Sequence, residues 1–267
     1  MKQTMDRPLA VVTGASSGIG LALAEQFAEH GFDLLITASS DAIREVVDRL
    51  DGFGGRVETF QADLSEYAGV EALYERIRAT GRPVDAVAIN AGVGVSGDFA
   101  RETSLEDELR LINLNVTSSV HLAKPVLKDM VARGSGRLLI TSSIAGTMPA
   151  PFIAVYGASK AFLKSFAEAI REELKDTGVT VTALMPGATE TNFFHRAGMD
   201  DTKIGVSEKD DPREVARQGF EALMAGKDHV VAGSFKNKVE AVAGHALPDP
   251  VVAAQHRKMS EPGSAKK

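Results

Sequence analysis

Short apolar runs rich in β-branched residues alternate along the chain with stretches in which apolar residues recur every three or four positions. The runs are Leu9–Thr13, Asp33–Thr37, Val57–Gln61, Asp85–Ile89, Arg137–Ser142, Val179–Met185 and His229–Gly233. Near-continuous apolar runs of this length predict strands buried on both faces, as in a parallel sheet. Between them, Ile19, Leu23 and Phe27 stand at helical spacing, as do Val70, Leu73 and Ile77, while Phe162, Phe166, Ile170 and Leu174 advance by four. Such spacing lines one face of a helix. The alternation predicts an α/β fold: one doubly wound parallel sheet of about seven strands, with right-handed crossovers and helices on both faces. No linker, repeat or composition break interrupts the pattern, so residues 1–260 are expected to form a single domain. After Pro248 the signal weakens, and Glu261–Lys267 (EPGSAKK) reads as a flexible C-terminal tail.

Composition narrows the function classes. The chain has 267 residues, of which 44% are hydrophobic, enough for a sizeable core. Its net charge of −6 comes from interspersed acids and bases, with no basic stripe for nucleic acid. The absence of cysteine excludes disulfides, thiolate nucleophiles and Cys-based zinc sites. His30, His121, His195, His229, His245 and His256 show no metal-ligand spacing, so no metal is expected. The start does not read as a signal peptide, and no apolar run is long enough for a bilayer. A cytoplasmic protein without membrane or nucleic-acid partners is the expectation.

The first run leads straight into Thr13-Gly14-Ala15-Ser16-Ser17-Gly18-Ile19-Gly20. A glycine-rich turn between a strand and a helix lets the backbone approach a pyrophosphate, and the helix N-terminus offers free N–H groups and partial positive charge. The spacing is GxxxGxG rather than the GxGxxG of the usual dinucleotide fingerprint. The second strand ends in Ala38-Ser39-Ser40, with neither the acid that accepts a ribose 2′-hydroxyl nor the arginine that meets a 2′-phosphate. Ser39 and Ser40 can donate to a phosphate and no carboxylate of theirs repels it, which favours NADP(H), with NAD(H) as the alternative. Asp63 and Leu64 follow the third strand, where Asp63 can accept from an adenine amino group. Asn90-Ala91-Gly92 follows the fourth, at the strand ends where open α/β sheets bind ligands.

Tyr156 and Lys160 are four residues apart at the start of a long helical segment, and i, i+4 residues share a helix face. A tyrosine, with an ordinary pKa of about 10, becomes a useful base when a nearby ammonium favours its anion. Ser142 and Ser143 end the fifth strand and alternation puts them on opposite sides, so that one hydroxyl enters the crevice. Asn113 and Asn115 lie amid apolar neighbours before that strand, and a buried amide needs partners.

TGASSGIG, NAG, the Asn115 segment, SSIAG, YGASK and Pro186-Gly187-Ala188-Thr189-Glu190-Thr191 together resemble the classical short-chain dehydrogenase/reductase family over about residues 8–235. The resemblance implies a Rossmann fold and a catalytic tetrad of Asn115, Ser143, Tyr156 and Lys160. In it Ser143 rather than Ser142 holds the substrate oxygen and Tyr156 is the general acid/base. Lys160 lowers the tyrosine's pKa and binds the nicotinamide ribose, while Asn115 positions a water in a relay to Lys160. Together with the strand-end reading of Ser39, Ser40, Asp63 and Leu64, where the second strand end departs from the family's pattern, it gives cofactor contacts at Gly14, Ser16, Ser17, Gly18, Ile19, Gly20, Asn90, Ala91, Gly92, Tyr156, Lys160, Pro186, Gly187, Thr189 and Thr191. The implied activity is interconversion of a carbonyl and a secondary alcohol with NADP or NAD. The alternative is a non-catalytic dinucleotide sensor or scaffold on the same fold, against which the paired Tyr156 and Lys160 argue.

Val93 and Val95 after the NAG turn, Met148 and Phe152 in the apolar loop before Tyr156, and Phe193 and Phe194 after the PG turn suggest a mainly apolar substrate pocket with a lid. The two phenylalanines would serve equally as lid packing. His195 would meet a polar substrate group or solvent. In the family, long helical segments such as Leu105–Val131 and Val155–Asp176 pair between copies, implying a homodimer or homotetramer.

Overall fold

Leu9–Thr13 is buried at all five positions because it forms an interior strand, β1, with neighbours on both sides. The computed structural model describes residues 7–235, 237–239, 241 and 248–266. Residues 1–6, His245 and Lys267 lie outside the described residues. Around β1 run β2 (Asp33–Ala38), β3 (Val57–Gln61), β4 (Ala86–Ile89), β5 (Gly136–Thr141), β6 (Val179–Pro186) and β7 (His229–Ala232). All pairings are parallel, in the order β3-β2-β1-β4-β5-β6-β7. The order reverses between β1 and β4, and the crevice at the C-terminal strand ends opens at that switch point. The seven strands expected from the sequence are present, with ends displaced by one residue at most. Asp85 stays outside β4, where its carboxylate accepts from Leu9 N at 2.9 Å.

The helices are α1 (Gly18–Glu29), α2 (Val46–Leu50), α3 (Tyr67–Ala79), α4 (Leu105–Ile112), α5 (Ser118–Arg133), α6 (Ala154–Glu173), α7 (Phe193–Arg196), α8 (Lys203–Val206), α9 (Pro212–Met224) and α10 (Asp249–Ser260). Strand alternation divides the core in two. Ala10, Val12, Leu34 and Ile36 pack with Leu23 and Phe27 of α1 and Phe220 and Leu223 of α9. Val11, Leu35, Val87, Leu138 and Ile140 pack on the other face with Leu73 and Ile77 of α3, Val126 and Met130 of α5, and Leu163 of α6. A third cluster, Ala150, Ile153, Phe194, Ala197 and Met199, joins the segment before α6 to α7 and the residues after it. Among the described residues no helix is long and apolar enough to cross a membrane.

Three features depart from the sequence expectation. The segment expected to run helically from Leu105 to Val131 is interrupted by a π-helical turn, Asn113–Thr117, between α4 and α5. The chain beyond Pro248 forms α10. Residues 261–266, expected to be a flexible tail, are docked: Ser264 is buried and accepts from Lys203 N at 2.9 Å, and Gly263 N and Ala265 N donate to Asp201.

Candidate active site

The turn from β1 into α1 is shaped for a close ligand. Gly14 and Gly18 have φ of +67° and +57°, a region that disfavours side chains. A Cβ on Gly14 would stand 2.9 Å from Ala91 Cα, so this turn and the Asn90–Gly92 turn pack backbone to backbone. The first turn of α1 has no acidic side chain, and Ser17 at its N-cap makes no capping bond. The N–H groups at Gly18, Ile19 and Gly20 are therefore not capped by side chains, the arrangement that receives a phosphate. Ser16 and Ser17 are half-buried beside them.

Thr13 Oγ1 accepts from the N–H groups of Asn90 and Ala91 at 2.9 and 3.0 Å. Asn90 Nδ2 donates to the Thr13 carbonyl, and Thr141 Oγ1 donates to Asn90 Oδ1. The Asn90 side chain thus ties β1 to β5 across β4. At the end of β2, Ser39 and Ser40 are exposed, followed by an exposed Asp41–Arg44 pair at 3.8 Å. Asp63 is committed in part: one oxygen accepts from Ser65 N and Oγ, and the other faces Arg110 at 3.4 Å. Partial burial pushes this carboxyl up, but those hydrogen bonds and the guanidinium outweigh it and hold it below its ordinary range. The Leu64 side chain is buried in the core on the α3 side of the sheet.

Ser142 and Ser143 do go opposite ways. Ser142 Oγ donates to the Lys160 carbonyl at 2.6 Å, fastening α6 to the sheet. Ser143 Oγ accepts from Ala145 N and reaches the Pro186 carbonyl at 3.4 Å. Burial pushes the Tyr156 phenol up to about 12, with the Ser143 hydroxyl alongside drawing it partly back. Lys160, only 4% exposed, donates to the Thr141 carbonyl at 2.9 Å, and its Nζ lies 5.7 Å from the Tyr156 ring centroid. Burial pulls its ammonium down to about 8.

Asn115, fully buried in the π turn, behaves as a backbone surrogate. Its Oδ1 accepts from Val93 N at 2.9 Å, and its Nδ2 donates to Val93 O and Ser159 Oγ at 3.0 Å each. Ser159 Oγ in turn donates to the Tyr156 carbonyl. A Cβ on Gly92 would lie 3.1 Å from Asn115 Oδ1 and 3.4 Å from Lys160 Nζ, so this backbone packs closely against both side chains.

The PG turn meets the glycine turn directly: a Cβ on Gly18 would stand 2.9 Å from Thr191 Cγ2. Pro186 and Thr189 are buried, Thr189 Oγ1 donates to the Gly187 carbonyl, and Thr191 Oγ1 accepts from Phe193 N. The Phe193 ring lies 5.0 Å from that of Tyr156. Phe194 is buried in the third cluster, 5.1 Å beneath Lys209 Nζ. Val93, Val95, Met148 and Phe152 are half-buried. His195 is exposed and bonds Asp200 at 2.8 Å.

The glycine turn, strand-end residues and Ser143–Tyr156–Lys160 group thus share one crevice whose backbone and donors fit a dinucleotide. A family model for short chain dehydrogenases matches residues 8–201. The chain belongs to the short-chain dehydrogenase family. Oxidoreductase UcpA of Salmonella typhimurium is 34% identical over 215 residues, spanning 80% of this chain and 79% of the relative. The structure is similar to that of a short-chain dehydrogenase from Sphingobium yanoikuyae in complex with NADPH, with TM-score 0.78 and 33% identity over 84% of this chain and 87% of that one. It is also similar to a short-chain dehydrogenase/reductase from Burkholderia phymatum in complex with NAD, with TM-score 0.81 and 25% identity over 94% and 95%. Those two relatives carry nicotinamide dinucleotides, one with the extra phosphate and one without.

Several residues that organise this short-chain dehydrogenase site escape a reading of motifs. Thr13 and Thr141 each place a hydroxyl at the end of an otherwise apolar run, and that break in hydropathy was the available signal. Ser159 sits inside the YGASK motif as a plain helix residue until Asn115 is placed against it. Asn237 and Asp210 carry no local signal: Asn237 Nδ2 donates to Asp210 Oδ2 at 2.6 Å and to Ala232 O at 2.9 Å, beside Gly187. Asp210 N donates to the Ala188 carbonyl, so this pair braces the PG turn from behind.

Proposed function

We propose that the protein is an oxidoreductase that interconverts a carbonyl compound and a secondary alcohol with a nicotinamide dinucleotide, NADP(H) in preference to NAD(H). The observation that carries this is the convergence of the Ser143 hydroxyl, the Tyr156 phenol and the Lys160 ammonium at one mouth of the crevice, next to the glycine turn. The turn Gly14–Gly20, Ser39 and Ser40, Asp63, the Asn90–Gly92 turn, and Pro186, Gly187, Thr189 and Thr191 would hold the cofactor, which would supply or accept the hydride.

In reduction, Ser143 Oγ holds the carbonyl oxygen by a hydrogen bond and Tyr156 Oη gives it a proton. The phenol is kept protonated by its burial, so it stands ready as the acid. In oxidation Tyr156 takes the alcohol proton, and the Lys160 ammonium makes the resulting phenolate affordable in a dry site. Asn115 holds the Val93 backbone and the Ser159 hydroxyl, fixing the floor on which Tyr156 and Lys160 rest. Phe193, Val93, Val95, Met148 and Phe152 would wall an apolar substrate. Leu105 and Leu109 on α4 and Phe162 on α6 leave large apolar side chains at the surface, which supports association into a homodimer or homotetramer.

The test is Tyr156→Phe. It should keep NADPH affinity in a fluorescence titration while turnover of an accepted ketone falls by roughly a hundredfold or more. Turnover at the wild-type rate would refute the assignment.

A further inference from the structure

The chain beyond Pro248 clasps the substrate side of the crevice at two points. On α10, the His256 ring faces the Pro151 backbone and meets Ser260 Oγ at 3.1 Å. The next residue, Arg257, stands with its guanidinium 5.2 Å over the Phe152 ring. Two consecutive helix residues thus grip two consecutive residues of the loop before Tyr156. A few residues on, Gly263 N donates to Asp201 Oδ2 at 2.8 Å, Ala265 N donates to Asp201 O at 2.9 Å, and buried Ser264 Oγ accepts from Lys203 N. Asp201 lies between α7 and α8 and Lys203 opens α8, in the segment expected to form the lid.

The loop needs such a grip. Phe152 has φ of +65°, the left-handed region that a bulky side chain disfavours, and it is the one non-glycine residue with positive φ among those described. A conformation of this kind persists only where its surroundings over-determine it. The Phe152 carbonyl is held by Gly97 N at 2.8 Å, and Ala150 and Ile153 on either side are anchored in the third cluster with Phe194 and Met199. Arg257 holds the ring from outside. Wall and lid are therefore joined through one strap, and its hydrogen bonds fall on the substrate side rather than on the glycine turn.

We propose that residues 256–265 form a strap that selects the substrate, with Arg257 acting through Phe152, and Ser264 acting through the Asp201–Lys203 turn, as positioning residues that set how bulky a ketone the site accepts. This rests on the oxidoreductase reading above. Arg257 is exposed enough for its replacement to leave the fold intact.

The experiment compares wild type, Arg257→Ala, Arg257→Lys and Asp201→Ala as full-length proteins. It measures KM and kcat over a series of ketones of increasing bulk, NADPH affinity by fluorescence, and amide hydrogen exchange. Arg257→Ala should change KM for the bulkiest ketones by about two- to fivefold, the worth of one exposed cation–π contact, with kcat and NADPH affinity held. Exchange in 147–153 should quicken, and Arg257→Lys should restore both. Asp201→Ala should quicken exchange in 199–206. The strap is overturned if Arg257→Ala leaves exchange in 147–153 at the wild-type rate, or if it shifts NADPH affinity as much as ketone KM. Should wild type reduce no ketone at all, the oxidoreductase reading fails, and exchange alone decides the strap.

Discussion

Lys160 is an ammonium with almost no access to water, and that burden can be measured on the protein without cofactor. Burial pulls its pKa from the ordinary 10.5 to about 8. A base whose folded pKa is depressed penalises the folded state at every pH below both values. At about 1.4 kcal/mol per unit, the penalty at pH 7 is roughly 3 kcal/mol. Replacing Lys160 by Met keeps the length of the side chain and removes the charge. It also strands the Thr141 carbonyl, which accepts from Nζ at 2.9 Å, at a cost of about 1–3 kcal/mol. Lys160→Met should therefore be as stable as wild type at pH 7 or more stable, by up to about 2 kcal/mol, while losing turnover. The pH dependence is the sharper test. Between pH 8 and 10.5 the unfolded chain binds more protons at this site than the folded one, so wild type gains stability with rising pH and the variant does not. Taken relative to the variant, the charge penalty should shrink from roughly 3 kcal/mol at pH 7 to about 1.4 kcal/mol at pH 9.5. Urea unfolding of both proteins across that range, without cofactor, measures the difference directly. A gap that stays constant with pH would show that the ammonium is not desolvated and would remove the basis of the reasoning.

Two further outcomes follow from the same site. Ketone reduction should be flat with pH in the acid range and fall as pH rises through about 8, because Lys160 loses its charge there while Tyr156, near 12, stays protonated; a plateau extending to pH 10 in kcat/KM with NADPH would contradict this. NADPH should bind more tightly than NADH, and Ser39→Asp should weaken NADPH by about tenfold while sparing NADH, since a carboxylate at the end of β2 repels a 2′-phosphate; equal wild-type affinities in a fluorescence titration would end the NADP preference.

The sheet was legible because buried parallel strands write themselves as apolar runs, and each of the seven stands within one residue of its run. The glycine turn and the Tyr156–Lys160 pair were legible because their spacing is local. Ser143 could be separated from Ser142 only by resemblance until the structure showed Ser142 Oγ spent on the Lys160 carbonyl. What stayed hidden was tertiary. No propensity announces the π turn at Asn113–Thr117, since its extra residue is accommodated by the Asn115 bonds to Val93 and Ser159, 22 positions upstream and 44 downstream. The left-handed Phe152 is invisible because the residues that hold it, Gly97 and Arg257, lie far away in the chain. Residues 261–266 looked like a loose tail because their composition is polar and small, yet Ser264 is buried against the lid.

The π turn has an evolutionary side. Such a turn holds one residue more than the surrounding helix needs. Deleting a single residue within 113–117 would let α4 and α5 fuse into one regular helix and would swing the residues before the deletion by about 100° relative to those after it. The backbone would gain the simpler hydrogen bonding, and the Asn115 amide would leave Val93 and Ser159. A frame-preserving deletion of three nucleotides is thus a direct route from an active-site scaffold to an inert one, with a helix that is better formed than before.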